Sequence, residues 1–213
     1  MSKFNKALKY IIIVVSFFVN TTQLLAQDKE VKYSKVNIKL NASTFVGVVN
    51  QAVEFRVFNK GSVQMEGWGV YAPENFLGTG YPCSLALMYG EFRFYPKEVF
   101  NGFFCGVHIG GGVYRLNKNI LPIFGYLKGP NSLQVGQNLI VGLTAGYHFT
   151  FDKHWGLEIV AGFGRQFSTY ESYTHKEDGT ISYRSLNGSA EYLPTKAGVL
   201  VTVSFPINRT DLD

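Results

Sequence analysis

The sequence predicts an all-β protein, an eight-stranded antiparallel up-and-down transmembrane β-barrel with a filled interior. Three observations carry this. Apolar residues recur with a period of two over segments of about ten residues, the strand period at the length that crosses a bilayer at a tilt. Aromatic residues make up 15% of the chain and Gly occurs 23 times, a composition suited to barrels. The connections between segments alternate between short and long, as turns on one side of a membrane and loops on the other would.

The first segment is not part of the barrel. Lys3, Lys6 and Lys9 precede an apolar run from Ile11 to Val19 and a small residue at Ala26. This is the pattern of a secretory signal peptide over 1–26, cut after Ala26, and the run is far shorter than the ~20 residues of a spanning helix. The mature barrel is then 27–213. The formal net charge of +5 falls to about +2 once these three lysines leave (5 − 3). No stripe of Lys and Arg interleaved with exposed aromatics remains, so nucleic acid is not an expected partner.

Strand one is predicted from Tyr33 to Asn41, with Val36, Ile38 and Leu40 opposed to Lys35, Asn37 and Lys39. A loop over Ala42 to Asn50 leads to strand two, where Val53, Phe55 and Val57 alternate with Glu54 and Arg56. Asn59 to Ser62 form a tight turn. Strand three ends near Tyr71, and a longer loop passes through Pro73, Gly78, Gly80 and Pro82. Strand four follows to Tyr95, with Glu91 and Arg93 on one parity and Phe92 and Phe94 on the other. Pro96 to Gly102 turns the chain into strand five, from Phe103 to Tyr114, and a long polar stretch over Leu116 to Gln137 is expected to be a loop.

The clearest pattern lies between Leu139 and Gly164. Leu139, Val141, Leu143, Ala145, Tyr147 and Phe149 alternate with small and polar residues, and after Asp152, Lys153 and His154 the alternation resumes through Leu157, Ile159, Ala161 and Phe163. This is a long hairpin, strands six and seven. Tyr147, Phe149, Phe151 and Trp155 crowd its turn, where an interfacial aromatic girdle would lie. A second long polar loop is predicted over Tyr170 to Tyr192, followed by strand eight with Val199, Val201, Val203 and Phe205 on one parity.

With the apolar parity facing lipid, the mid-strand charges fall inside. Lys35 is one of them, and a polar network is expected from Lys39, Glu54, Arg56, Glu66, Glu91, Arg93, His108, His148, Glu158 and Lys196. A charge at the lipid-facing midplane would cost about 2–4 kcal/mol, whereas in a narrow bore charges pair. Inward Gly106, Gly110, Gly112, Gly142, Gly146 and Gly162 would leave room for Trp68, Tyr89, His108 and His148 to lie across the lumen. The expected core is plugged, with no open pore. Cys83 and Cys105 fall at opposite ends of strands four and five, too far apart for a disulfide.

Several segments together resemble a family of outer-membrane proteins of Bacteroidetes, the domain of unknown function numbered 3575. They are Val36 to Asn41, Phe92 to Pro96, Phe100 to Phe103 with Gly106, Val107 and His108, then Gly146 and Tyr147 with Lys153 to Glu158, and finally Pro194 to Gly198. The resemblance implies a small barrel of OmpA or OmpX type and assigns no chemistry or cofactor. Members often carry a close cysteine pair in the last long loop, which Tyr170 to Tyr192 lacks. An association of some members with fimbria gene neighbourhoods implies a surface or fimbrial protein partner.

Other residue groups suggest chemistry but have plainer readings. His108 and His148 could form a proton relay or metal site with Glu91 and Glu158, but His pairs in barrels are more often network members. Ser168, Thr169 and His175 could serve a lipid hydrolase at the rim, although no serine elbow motif is present. The glycine clusters at 110–112 and 162–164 lack the helix and Lys of a phosphate loop. Tyr170, Tyr173, Tyr183 and Tyr192 suit an adhesive surface or an aromatic girdle equally. The resulting expectation is a non-enzymatic, monomeric outer-membrane protein without cofactors, in contact with outer-membrane lipid. The alternatives are a small enzyme of lipid A and a soluble lipocalin-like ligand barrel.

Overall fold

The computed structural model describes residues 34–117, 132–152, 154–175 and 180–207. The segment 1–26, predicted as a signal peptide, lies outside them. Eight strands follow in order: β1 (Ser34–Asn41), β2 (Val48–Phe58), β3 (Gly61–Ala72), β4 (Cys83–Phe94), β5 (Gly102–Asn117), β6 (Ser132–Thr150), β7 (Trp155–His175) and β8 (Ile181–Ile207). Each strand is hydrogen-bonded to its sequence neighbours, and the sheet closes into a ring. The pairings from β1–β2 to β7–β8 are antiparallel. Residues 35–205 form one compact unit.

The alternation in sequence decides which way side chains point. On β4, Cys83, Tyr89, Glu91 and Arg93 are buried in the bore, whereas Phe92 and Phe94 are exposed. The same holds on β1, where Asn37 and Lys39 are buried and Ile38 and Leu40 are exposed. Ionic residues therefore lie inside and large apolar residues outside, the reverse of a water-soluble core. Lys35 has no described side chain.

Several predicted boundaries require correction. The stretch expected as a loop over Tyr170 to Tyr192 is mostly ladder, because β7 continues to His175 and β8 begins at Ile181. Leu116–Asn117 and Ser132–Gln137 are likewise strand. Between Tyr170 and Tyr192 these segments are rich in Tyr, Ser and Thr, so backbone pairing persists there without the apolar period that betrays it in sequence, and on β6 Gln137 separates Leu133 and Val135 from the run that starts at Leu139. The loop expected to run to Asn50 is shorter. A 3-10 helix over Ala42–Val46 is capped by Asn41, whose Oδ1 accepts from the Ser43 N–H at 3.0 Å. Gly47, at φ 82°, then releases the chain into β2. Connection length therefore does not alternate strictly: 95–101 is longer than 42–47, and the extra length at the other end is carried by β5 to β8 themselves.

The bore is layered. At the turn end, the 95–101 connection folds inward, and Tyr95, Val99, Phe100, Phe104, Val160 and Leu200 form an apolar cluster that closes the ring. Phe100 adopts φ 67° there, and its carbonyl accepts from Thr150 Oγ1 at 2.9 Å. The middle layer is ionic. The far end is not filled as predicted: it holds a cavity of about 420 Å³ lined by residues such as Val70, Leu85, Leu87 and Leu116. The sequence reading went wrong here because inward parity on β4 changes from ionic to aliphatic partway along the strand.

Candidate functional site

The middle layer gathers side chains from six strands. Arg93 on β4 lies at its centre: Nε donates to Glu91 Oε1 at 2.9 Å, and one terminal nitrogen reaches Glu158 Oε1 at 2.9 Å and Glu54 Oε2 at 3.3 Å. The guanidinium also sits 4.3 Å from the centre of the Phe104 ring. Lys39 on β1 donates to Glu158 Oε2 at 2.5 Å and pairs with Glu54. Lys196 on β8 donates to Glu91 Oε2 at 2.5 Å and to Glu66. Glu54 is completely buried.

Three cations thus face four carboxylates, a balance of −1, and neutral donors serve the surplus. Glu54 accepts from Tyr95 Oη at 2.9 Å and from Ser62. Glu66 accepts from Trp68 Nε1 at 2.7 Å, Asn50 Nδ2 at 3.0 Å and Gln64 Nε2 at 3.1 Å. Removing ions from water is costly unless pairing and hydrogen bonding are nearly complete, and here they are. The layer crosses the bore from wall to wall, so the arrangement suits a structural core and leaves no polar channel through this level.

Local sequence explains how the bulky inward side chains of β4 and β5 fit. The neighbouring strand carries glycine at the directly paired position: Gly106 beside Arg93, Gly110 beside Tyr89, Gly142 beside His108 and Gly146 beside Phe104. A Cβ on Gly106 would lie 2.9 Å from Glu91 Oε1, one on Gly110 2.3 Å from the Tyr89 ring, and one on Gly142 2.7 Å from His108 Nε2. Gly146 gives the same room to Phe104, whose ring would be 2.4 Å from a Cβ there. Phe104 and Tyr95 are members of this core that sequence reading missed. Their inward parity was the available signal.

Of the ten predicted network residues, Lys39, Glu54, Glu66, Glu91, Arg93, His148, Glu158 and Lys196 come together. Arg56 does not. It faces inward at the end of β2, where the register slips between Arg56 and Phe58, and it bonds Asn59 Oδ1 at 3.0 Å and approaches Glu98 at 3.9 Å instead. His108 is buried beside the network, its Nδ1 2.8 Å from Thr144 Oγ1 and its ring edge-on to Tyr89. The two histidines are separated along β6, since His108 pairs with Gly142 and His148 lies six residues on (148 − 142), about 20 Å away by strand rise. No shared relay or metal site is formed by that pair. His148 Nδ1 approaches Glu158 at 3.6 Å. Among the described residues, no group of three or more His, Cys, Asp or Glu is placed to hold a metal ion.

Ser168 is buried and accepts from Gln166 Nε2 at 2.8 Å, while the next residue, Thr169, is exposed. The two hydroxyls fall on opposite faces of β7, and the side chain of His175 lies outside the described residues. The tyrosines of the extended hairpin divide: Tyr192 stacks on Phe163 at 6.3 Å beside Arg165, whereas Tyr173 and Tyr183 pair with each other at 5.1 Å. Cys83 and Cys105 are both free, the first buried and the second exposed.

Fold and site together define a class, a closed ring of eight antiparallel strands built around an internal ionic layer. The chain belongs to the family described as protein of unknown function (DUF3575), whose model matches residues 10–205. No curated protein and no solved structure matches it closely enough to be compared.

Proposed function

We propose that the protein is a non-enzymatic outer-membrane β-barrel, exported by the 1–26 leader, that serves the envelope or contacts a surface or fimbrial protein through the far ends of β5 to β8. One observation carries the membrane reading: a continuous belt of exposed apolar side chains around the ring. Leu143 is 67% exposed, Phe163 57% and Ile109 56%, a pattern that water would penalise and acyl chains favour.

The belt has the height of an outer-membrane core. On β7 the outward positions run from Trp155 through Leu157, Ile159, Ala161 and Phe163 to Arg165. Ten steps (165 − 155) at about 3.3 Å, tilted by about 40°, give roughly 25 Å. Aromatic residues mark the turn end, where Phe94, Phe103, Tyr147, Phe149, Phe151 and Trp155 are all exposed. Beyond the belt, the extended β7–β8 hairpin supports a role in contacts outside the membrane, with Tyr183 among its exposed residues.

Cell fractionation with a heat-modifiability gel tests this. The expected result is an outer-membrane protein whose unheated band migrates faster than its heated band. A freely soluble periplasmic protein would overturn the proposal. Unaltered lipid A from a deletion strain, examined by mass spectrometry, is expected on the non-enzymatic reading, and an altered acyl pattern would replace it with the enzymatic one.

A further inference from the structure

We infer that the cavity at the far end of the bore is a binding site for a lipid acyl chain, which enters sideways through a gap in the wall between β8 and β2. The inference rests on the outer-membrane reading.

The gap follows from strand lengths. β1 ends at Asn41, and its amide nitrogen occupies the space beside Gly198, only 2.1 Å from where a Cβ on that glycine would lie. Asn41 and Gly198 are therefore level. β8 extends well beyond that level, from Ala197 back to Ile181, while the chain after Asn41 leaves the sheet as the 3-10 helix. β2 likewise extends past β1: Leu40 pairs with Gln51, yet β2 starts at Val48. Above Asn41 the wall lacks the strand that would join β8 to β2. No residue of the 3-10 helix lines the cavity: Ser43 and Thr44 are half-buried, and Phe45 is 89% exposed.

The cavity reaches this opening. Its lining includes Pro194 and Ala197, which are exposed on the outer parity of β8, and Val48 at the start of β2. Pro194 has no N–H to offer a further strand, which suits an edge left unpaired. From Val48 an apolar wall continues inward through Val70, Leu85, Leu87 and Leu116. Its volume of about 420 Å³ lies within the range of natural ligand pockets. Lys196, already paired with Glu66 and Glu91, forms part of the floor with Trp68, and Gln134, Asn138, Gln166 and Glu191 add polar groups to an otherwise apolar lining. Outside the gap lie the exposed Leu40 and Val49, which on the membrane reading already touch lipid.

The test uses the full mature chain in vesicles of phosphatidylcholine carrying a diazirine at the end of one acyl chain. After irradiation, adducts are mapped by peptide mass spectrometry. Adducts are expected on inward Leu85 and Leu87 as well as on outward Leu139 and Leu143. In separate Leu85→Trp and Leu87→Trp variants, the inward adducts at the remaining leucine should fall by about tenfold, the change that a binding penalty of about 1.4 kcal/mol produces, with the outward ones unchanged. Outward adducts without inward ones would overturn the inference and leave the membrane reading intact. Absence of both would overturn the two together. Inward adducts from a diazirine fatty acid added in water, with none from the phospholipid, would overturn side entry in favour of entry from the aqueous side. If both variants misfold, inward adducts that free fatty acid competes away support the site, and adducts that resist competition refute it.

Discussion

Replacing Arg93 by Leu should be the most damaging single change in the middle layer. The guanidinium contacts Glu54, Glu91 and Glu158, so its loss takes the layer from −1 to −2 and leaves four buried carboxylates, Glu66 included, sharing two lysines. Breaking a buried ion pair costs about 3–5 kcal/mol, and the lost contact with Phe104 adds to that, since a desolvated cation over a ring is worth about 2 kcal/mol. The expected loss is therefore about 5 kcal/mol or more. Arg93→Lys should fall between, because it keeps the charge without the planar fork that serves three partners. Urea unfolding of the vesicle-inserted protein, followed by tryptophan fluorescence, measures each variant. The double variant Arg93→Leu with Glu158→Gln should recover part of the loss, since it restores the charge balance. A single-variant loss below about 1 kcal/mol, or strict additivity in the double variant, would refute the view that these groups form one coupled layer.

Three further outcomes are expected. On the proposed membrane reading, Leu143→Arg, at the middle of the exposed apolar belt, should destabilise the vesicle-inserted protein by about 2–4 kcal/mol, whereas Gln137→Arg near its upper edge should cost about 0–1 kcal/mol; equal effects in the same unfolding assay would contradict the placement of the belt. Gly142→Leu should cost about 1–3 kcal/mol by overpacking, since its Cβ alone would meet His108 at 2.7 Å, while Gly69→Ala, with nothing within 4 Å of the added carbon, should be neutral or slightly stabilising. Cys105 pairs with Phe94 on β4, eleven residues from Cys83 (94 − 83) and so about 36 Å away by strand rise. The mass of the unreduced protein should show two free thiols, and loss of two hydrogens in the monomer would mean the β4–β5 register is wrong.

Much of the architecture was legible because a strand announces itself by side-chain parity. Alternation on β4 placed Glu91 and Arg93 together against Phe92 and Phe94, and the β6–β7 hairpin was visible from Leu139 to Phe163. Parity fails where the alternating residues are of one kind. The Tyr, Ser and Thr of β7 beyond Tyr170 gave no apolar signal, so strand was read as loop. It fails again at strand ends, where Arg56 keeps the inward parity but a register slip takes it out of the shared cluster. Two histidines on one parity of adjacent strands looked like a pair, yet only the register shows them about 20 Å apart.

The sequence by itself determined that apolar and ionic residues would separate onto two faces of long strands, because alternation at period two has no other geometric outcome. It also determined the glycine-lined wall, since a position without a Cβ can only give space away. Tertiary structure decided what the interior became along its length. Whether Leu85 and Leu87 pack against other side chains or border a cavity depends on what six other strands contribute at the same level, and no local pattern encodes that sum. The gap beside β8 has the same origin: it exists because β1 stops at Asn41 while its neighbour continues, a relation between segments more than a hundred and fifty residues apart that only closure of the ring brings together.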